Sequence, residues 1–258
     1  MYQSGHLYQS DAVTALQSLP DASVDLLITD PPYDTLEKWR AQGTTTRLKN
    51  SKSSSNQWFP VVPPSYFDEF FLECFRVLKK NTHLYVFCDP ETLVNVTPKV
   101  SGSGFGMKKP LVWHKVGKVT YKKCDRCGHP YESRGKGSPG MGYPYRSCYE
   151  LILFAQKGKR KPPENKGVRD VLEFPRIKDR AAYPTEKPVE LLRTLIQQSS
   201  HEGDLVVDPF AGSGSTIQAS LEMGRRAFGF DIQQSAVDRF NSKTPDLLSL
   251  LGETDVRP

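Results

Sequence analysis

Cysteine is scarce in this chain of 258 residues: there are five, at Cys74, Cys88, Cys124, Cys127 and Cys148. An odd and sparse set excludes a disulfide framework and points to a reducing, cytoplasmic setting. Long apolar runs are missing too, and nothing approaches the ~20 residues of a membrane span. The opening MYQSGHLYQSDA lacks a charged segment followed by an apolar one, so no secretory signal is expected. There is no internal repeat, and 37% hydrophobic with 25% charged residues excludes a disordered chain. One stretch is short of acid. Residues 107–161 carry 14 Lys and Arg against 3 Asp and Glu, a local +11, so with a total of +6 the rest of the chain sums to −5. A basic segment on a mildly acidic body suits a polyanion such as nucleic acid. A solvated charged face is the plainer alternative.

The patterning is that of one α/β domain. Val13 to Leu19 is a short helical pattern after Asp11, and Val24–Thr29 (VDLLIT) is a continuous apolar run of strand length, as expected of a strand buried on both faces. Asp30-Pro31-Pro32-Tyr33 ends it, because two prolines cannot continue a central strand. Residues 36–60 are polar and basic without a period and read as a long mobile loop. Ser65 is a candidate N-cap for a helix over Tyr66–Lys79. Leu84–Cys88, Leu111–Trp113 and Glu150–Ala155 read as strands, with a Gly-, Pro-, Lys- and Tyr-rich insertion between the last two. Pro188 opens a helix over Val189–Ser199. Strands Leu205–Val207 and Ala227–Phe230 flank a helix from about Ser215 to Met223. Strands alternating with helices predict a mostly parallel, doubly wound sheet covered on both faces.

Two segments carry chemistry. The first, Leu205 to Thr216, is a strand, a glycine turn and a helix start; glycine lets the backbone turn sharply and approach a ligand closely. Asp231, at the end of the next strand, can accept hydrogen bonds from ribose hydroxyls. The turn has neither the third glycine of a dinucleotide fingerprint nor the Lys of a phosphate loop, which counts against nucleotide phosphates. By spacing alone it suits a dinucleotide, an adenosyl cofactor or a tight structural turn. The second segment is Asp30-Pro31-Pro32-Tyr33. An aromatic amine on a nucleobase is a poor nucleophile, because its lone pair is delocalised into the ring. Asp30 and the Pro31 carbonyl are two acceptors that can draw such a nitrogen toward a tetrahedral shape. Pro32 helps hold the loop rigid, and Tyr33 offers a face on which an extruded base stacks. A surface turn would explain the prolines but not their pairing with a cofactor loop.

Together, Asp30–Tyr33 and Asp208-Pro209-Phe210-Ala211-Gly212-Ser213-Gly214 resemble the amino-methyltransferase family of DNA modification enzymes. The catalytic loop precedes the cofactor loop, the permuted order of that family's β group. The resemblance spans residues 6–35, 60–115, 142–158 and 183–242. It implies an S-adenosylmethionine-dependent fold, with methyl transfer to adenine N6 preferred over cytosine N4 because Asp rather than Ser opens the loop. It implies that Asp30, Pro31, Pro32 and Tyr33 are catalytic. Cofactor binding falls on Asp11, Ala12, Asp30, Thr185, Lys187, Asp208, Phe210, Ala211, Gly212, Ser213, Gly214, Thr216 and Asp231. Asp11 would contact the adenine, and Pro184–Pro188 would close over the methionine part. Tyr183 departs from a pattern that often has His there. Target recognition is placed at about residues 115–182, giving Lys115, Lys118, Lys122, Lys123, Arg126, Arg134, Lys136 and Arg146 as DNA contacts, joined by Arg40, Arg47, Lys49 and Lys52 of the 36–60 loop. Double-stranded DNA is the expected partner, and the resemblance admits a homodimer.

Cys124-x-x-Cys127-Gly128-His129 resembles half of a zinc knuckle. A structural zinc needs four ligands, which His129 and Cys148 would complete. The lack of a second CxxC favours the alternative, a pair of reduced loop thiols. Cys74 and Cys88 fall in apolar patterns and are expected in the core.

Overall fold

The computed structural model describes residues 2–32, 62–63, 65–117, 119–134, 145, 147–159, 165–177 and 186–244. In chain order the elements are β1 (Leu7–Gln9), α1 (Ala12–Gln17), β2 (Val24–Thr29), α2 (Tyr66–Val77), β3 (Leu78–Cys88), α3 (Pro90–Gly102), β4 (Gly106–Met107), β5 (Leu111–Val116), β6 (Val119–Lys123), β7 (Pro130–Arg134), β8 (Tyr149–Lys157), β9 (Val171–Pro175), α4 (Val189–Ser199), β10 (Leu205–Asp208), α5 (Ser215–Leu221), β11 (Arg226–Asp231) and α6 (Gln234–Asn241).

Nine strands make one sheet in the order β1-β11-β10-β2-β3-β8-β5-β9, with β4 also on β8, while β6 and β7 pair as a separate hairpin. From β1 to β3 every neighbour is parallel, as the apolar runs predicted. Beyond β3 the sheet is mixed: β8 is antiparallel to both β3 and β5, and β9 returns parallel to β5.

Side chains alternate along each central strand, and both faces are buried. Val24 and Leu27 share one cluster with Leu16, Phe67, Phe70 and Val100, from α1, α2 and α3. Leu26 and Ile28 share the other with Leu191, Leu195, Ile217 and Phe240, from α4, α5 and α6. Truncating a fully buried ring such as Phe70 should cost about 3–5 kcal/mol. Asp25 ties distant parts of the chain together. Its Oδ2 accepts from the Leu205 amide at 3.0 Å and from Lys79 Nζ at 2.8 Å, fixing the start of β10 against β2.

Several elements differ from the sequence expectation. Helix α2 stops at Val77 because Leu78 is already extended, and β3 begins there rather than at Leu84. Asn81 has φ 68, and the pairing of β3 with β2 shifts register around it, so polar residues 79–81 belong to a bulged strand. Helix α3 went unread. Asp89 caps it by accepting from the Thr92 amide at 2.7 Å, but Pro98 interrupts its interior. The insertion holds the β6–β7 hairpin, and β9 follows it.

Candidate active site

Because β10 lies beside β2, the loops that leave their C-terminal ends emerge next to each other, although the strands stand far apart in sequence. Val207 pairs with Leu27, Asp208 with Gly229, and Gln9 with Asp231. Asp30, Asp208 and Asp231 therefore end three adjacent parallel strands along one edge of the sheet. Open α/β sheets bind ligands at such an edge.

The turn after β10 is held in close contact with β11. The Ala211 amide donates to the Phe230 carbonyl at 2.9 Å, and the Gly212 amide donates to Asp231 Oδ2 at 3.0 Å. Two glycines make this approach feasible. A Cβ on Gly229 would come within 2.7 Å of Ala211 Cβ and 2.9 Å of the Asp208 carbonyl. Gly214 has φ +78 at the cap of α5, and a Cβ there would fall 2.1 Å from the Phe240 ring. Ser213 and Ser215 hydroxyls pair at 2.8 Å. The Asp208 carboxylate accepts from Thr216 Oγ1 at 2.7 Å and from the Phe210 amide at 3.1 Å. Burial raises its pKa to about 7, against those two hydrogen bonds. Burial also raises Asp231, whose other oxygen accepts from the Gln233 amide at 2.8 Å.

Asp30 lies where β2 gives way to the proline loop, with 32% of its side chain exposed. Its Oδ2 is ion-paired to the Lys187 ammonium, which is itself only 11% exposed. Lys187 Nζ lies 3.6 Å from Glu150 Oε2 and 5.0 Å from the centre of the Phe87 ring. Lys115 donates to Glu150 Oε1 at 2.5 Å. Surrounding protein raises the Asp30 pKa, Lys187 pulls it down, and Glu150 pushes it up again. Burial acts against the charge on Lys187, yet the two carboxylates hold its pKa above the ordinary lysine value. Glu150 was not singled out in the sequence; its signal was a carboxylate opening an otherwise apolar strand.

The other expected site residues divide. Asp11 caps α1, accepting from the Val13 and Thr14 amides at 3.0 and 3.1 Å, and it accepts from the Tyr66 hydroxyl at 2.7 Å. Both its oxygens are thus engaged in joining α1 to α2. Ala12 and Thr216 are buried behind the loops, and Phe210 meets Phe70 edge-on with ring centroids 5.4 Å apart. Lys122, Lys123 and Arg126 are exposed on the hairpin, and Arg134 ends β7. Lys115, expected among the DNA contacts, has only 17% of its side chain exposed and pairs with Glu150 beside the Trp113 ring. Tyr33, Arg40, Arg47, Lys49, Lys52, Lys118, Lys136, Arg146, Tyr183 and Thr185 lie outside the described residues, as does the whole 36–60 loop.

Cys124, Cys127 and His129 sit on the tight turn joining β6 to β7. The Gly128 amide donates to the Cys124 carbonyl at 2.8 Å, and the Cys124 amide to the His129 carbonyl at 2.9 Å. Amides of Cys127 and Arg126 face the Cys124 sulfur and lower its pKa. Cys148 belongs to another segment. Among the described residues no three His, Cys, Asp or Glu side chains gather as a metal site, so the four-ligand set with Cys148 is not assembled. Cys74 and Cys88 are buried, as expected. No helix among the described residues is long and apolar enough to cross a membrane.

The model of the DNA methylase family, which spans N6 and N4 enzymes, matches residues 24–242. The chain is 27% identical over 249 residues to the DNA adenine methyltransferase YhdJ of Escherichia coli strain K12, covering 90% of this chain and 79% of that one. Its fold is similar to that of M1.HpyAVI solved as a complex with SAM, with TM-score 0.61 and 21% identity over 92% of this chain and 98% of that one. It is similar also to PvuII DNA methyltransferase, described as cytosine-N4-specific, with TM-score 0.66 and 14% identity over 98% and 95% of the two chains. This chain belongs to the N6/N4 DNA methylase family. It is a DNA methyltransferase with S-adenosylmethionine as its cofactor and DNA as its substrate.

The residues present fit that cofactor. S-adenosylmethionine carries a sulfonium and an ammonium, which suit a sheet edge that presents the carboxylates of Asp30 and Asp231; a pyrophosphate there would be repelled. When bound, it supplies an electrophilic methyl group. Asp231 would take the ribose hydroxyls, and the Asp208–Gly212 turn would pack against the cofactor.

Proposed function

We propose that the enzyme methylates the exocyclic N6 amine of adenine in double-stranded DNA, on a base turned out of the helix. The observation that carries the reading is Asp30 with Pro31 at the end of β2, next to the cofactor turn after β10. The Asp30 carboxylate takes one hydrogen bond from the amine, and the Pro31 carbonyl takes the other. Two fixed acceptors localise the nitrogen lone pair and stabilise the positive charge that grows on it. The new methyl replaces one amine hydrogen, so a proton leaves beside Asp30. No covalent enzyme intermediate is needed. Tyr33 is assigned to stacking on the extruded base.

Adenine is preferred over cytosine because Asp opens the loop, and because the relative YhdJ is named an adenine methyltransferase. Target recognition is assigned to residues 115–182, with Lys122, Lys123 and Arg126 of the exposed hairpin contacting phosphates, which position the duplex without specifying sequence. Digesting methylated DNA to nucleosides tests the reading. N6-methyladenine is expected, and N4-methylcytosine alone would overturn the choice of base.

A further inference from the structure

The structure assigns Lys187 to the catalytic loop: we infer that its ammonium clamps Asp30 Oδ2, holding the carboxylate ionised and turned so that Oδ1 is left for the target amine, while Glu150 and Lys115 brace the clamp from behind. Lys187 is thus a positioning residue for the methyl-transfer step. Its segment resembles one that closes over the cofactor, and its charged end is paired with Asp30 and Glu150. The inference rests on the reading of Asp30 as the amine's acceptor.

Four charges alternate in sign through the cluster, from Asp30 to Lys187 to Glu150 to Lys115, each paired with the next. They arrive from four parts of the chain: the end of β2, the segment before α4, the start of β8 and the body of β5. The sheet brings them together. Cys88, beside the end of β2, pairs with Leu151, so Glu150 lies one step beyond the end of β3, and Glu150 pairs with Trp113 across to β5. The Phe87 ring beneath Lys187 leaves its ammonium little water to turn to. Among the described residues the other ionisable groups facing Asp30 are Asp208 and the Cys88 thiol. Neither brings a positive charge, so among the described residues Lys187, backed by Lys115, is the cation that balances Asp30 and Glu150.

The chemistry needs this balance. A protonated Asp30 would offer a hydrogen where the amine requires an acceptor. Two carboxylates in one site, with no cation between them, favour protonation of one. Without Lys187, Asp30 should therefore ionise only at higher pH.

The test is the pH dependence of single-turnover methylation, using radiolabelled S-adenosylmethionine and a plasmid that the wild-type enzyme labels. In Lys187→Gln the acid limb should move up by one pH unit or more, the rate at a given pH on that limb should fall at least ten-fold, and raising the pH should restore part of it. S-adenosylmethionine affinity by calorimetry should stay within a few-fold. Lys187→Arg should keep the wild-type limb. Glu150→Gln, which removes a negative neighbour of Asp30, should move the limb down, and it serves also if Lys187→Gln does not fold. Acid limbs that stay in place in both variants would overturn the inference. So would a loss in Lys187→Gln that lies wholly in cofactor affinity. Asp30→Ala separates the two layers: if it retains activity, the reading of Asp30 fails; if it is inactive and the limbs stay in place, only the clamp fails.

Discussion

The parallel half of the sheet and the mixed half contribute to one site in different ways. In β1, β11, β10, β2 and β3 the strands all point the same way, so their C-terminal ends deliver Asp30, Asp208 and Asp231 along a single edge, on loops shaped by proline and glycine. In the mixed half, β8 runs the other way, and it is the beginning of that strand, with Glu150, that reaches the same edge. Lys115 reaches it from within β5. Loops at strand ends can approach a ligand closely, whereas side chains within hydrogen-bonded strands are held in fixed positions. On the proposed reading the acceptor for the amine sits on the parallel half, while two of the three groups that fix its charge, Glu150 and Lys115, come from the mixed half and the third, Lys187, from the segment before α4.

Removing the reacting group should break the parallel half outright. Asp30→Ala is expected to lower single-turnover methylation by about 10²–10³-fold or more, by analogy with loss of one preorganised donor or acceptor at a site of developing charge. S-adenosylmethionine affinity should be largely kept, as calorimetry would show. Near wild-type turnover would refute the role given to Asp30. A smaller effect is expected at the next strand end. Asp231→Ala removes a charged acceptor from the ribose position, and hydrogen bonds to charged groups contribute roughly 1.5–3 kcal/mol, so the cofactor Kd should rise about 10- to 100-fold. An unchanged Kd would move the ribose elsewhere.

The same division decides what could be read from the sequence. Asp30–Tyr33 and Asp208–Gly214 were legible because each packs its chemistry into a few consecutive residues between strands that announce themselves as apolar runs. The adjacency of β10 and β2 was not legible, since local pattern says nothing of which strands pair. Glu150 and Lys115 were not legible as site residues. Their meeting depends on the antiparallel register of β8 against β3 and β5, which no short-range pattern encodes. Instead, Lys115 merged into a basic run in which Lys122, Lys123 and Arg126 do face outward. Asp11 was visible as a motif, but its hydrogen bonds to α1 and to Tyr66 appear only once α2 is folded against it. Helix α3 was hidden by Pro98.

Asp208 offers a subtler probe of the parallel half, through stability. Unfolded, it titrates near its ordinary value of 3.8; folded, burial raises it to about 7. The folded state therefore holds the proton more tightly. The stabilisation is fully present below 3.8 and is lost as pH rises through about 7. Asp208→Asn stays neutral throughout. Its carbonyl can still accept from the Phe210 amide, and its NH₂ can donate to the Thr216 hydroxyl. Its melting temperature relative to wild type should thus be several degrees more favourable at pH 8 than at pH 5, each kcal/mol being worth about 2–4 °C in a chain of this size. A difference that does not vary with pH would show that Asp208 does not titrate in this window.

The smallest expected effect sharpens the comparison within the mixed half, where the basic run splits between inward and outward members. Lys122 and Lys123 are exposed on β6, in the hairpin that stands apart from the main sheet. If the hairpin lies along the duplex, each should neutralise about one phosphate. Lys122→Ala and Lys123→Ala should then weaken binding similarly for all DNA sequences and reduce the log–log salt slope by about 1 each. Lys115 is a neighbour in sequence with the same charge, but it is already paired with Glu150, so Lys115→Gln should leave the salt slope unchanged. Fluorescence anisotropy across a salt series would measure all three. A slope that falls for Lys115→Gln but not for the hairpin variants would place the duplex against β5 and reverse the assignment of these two groups.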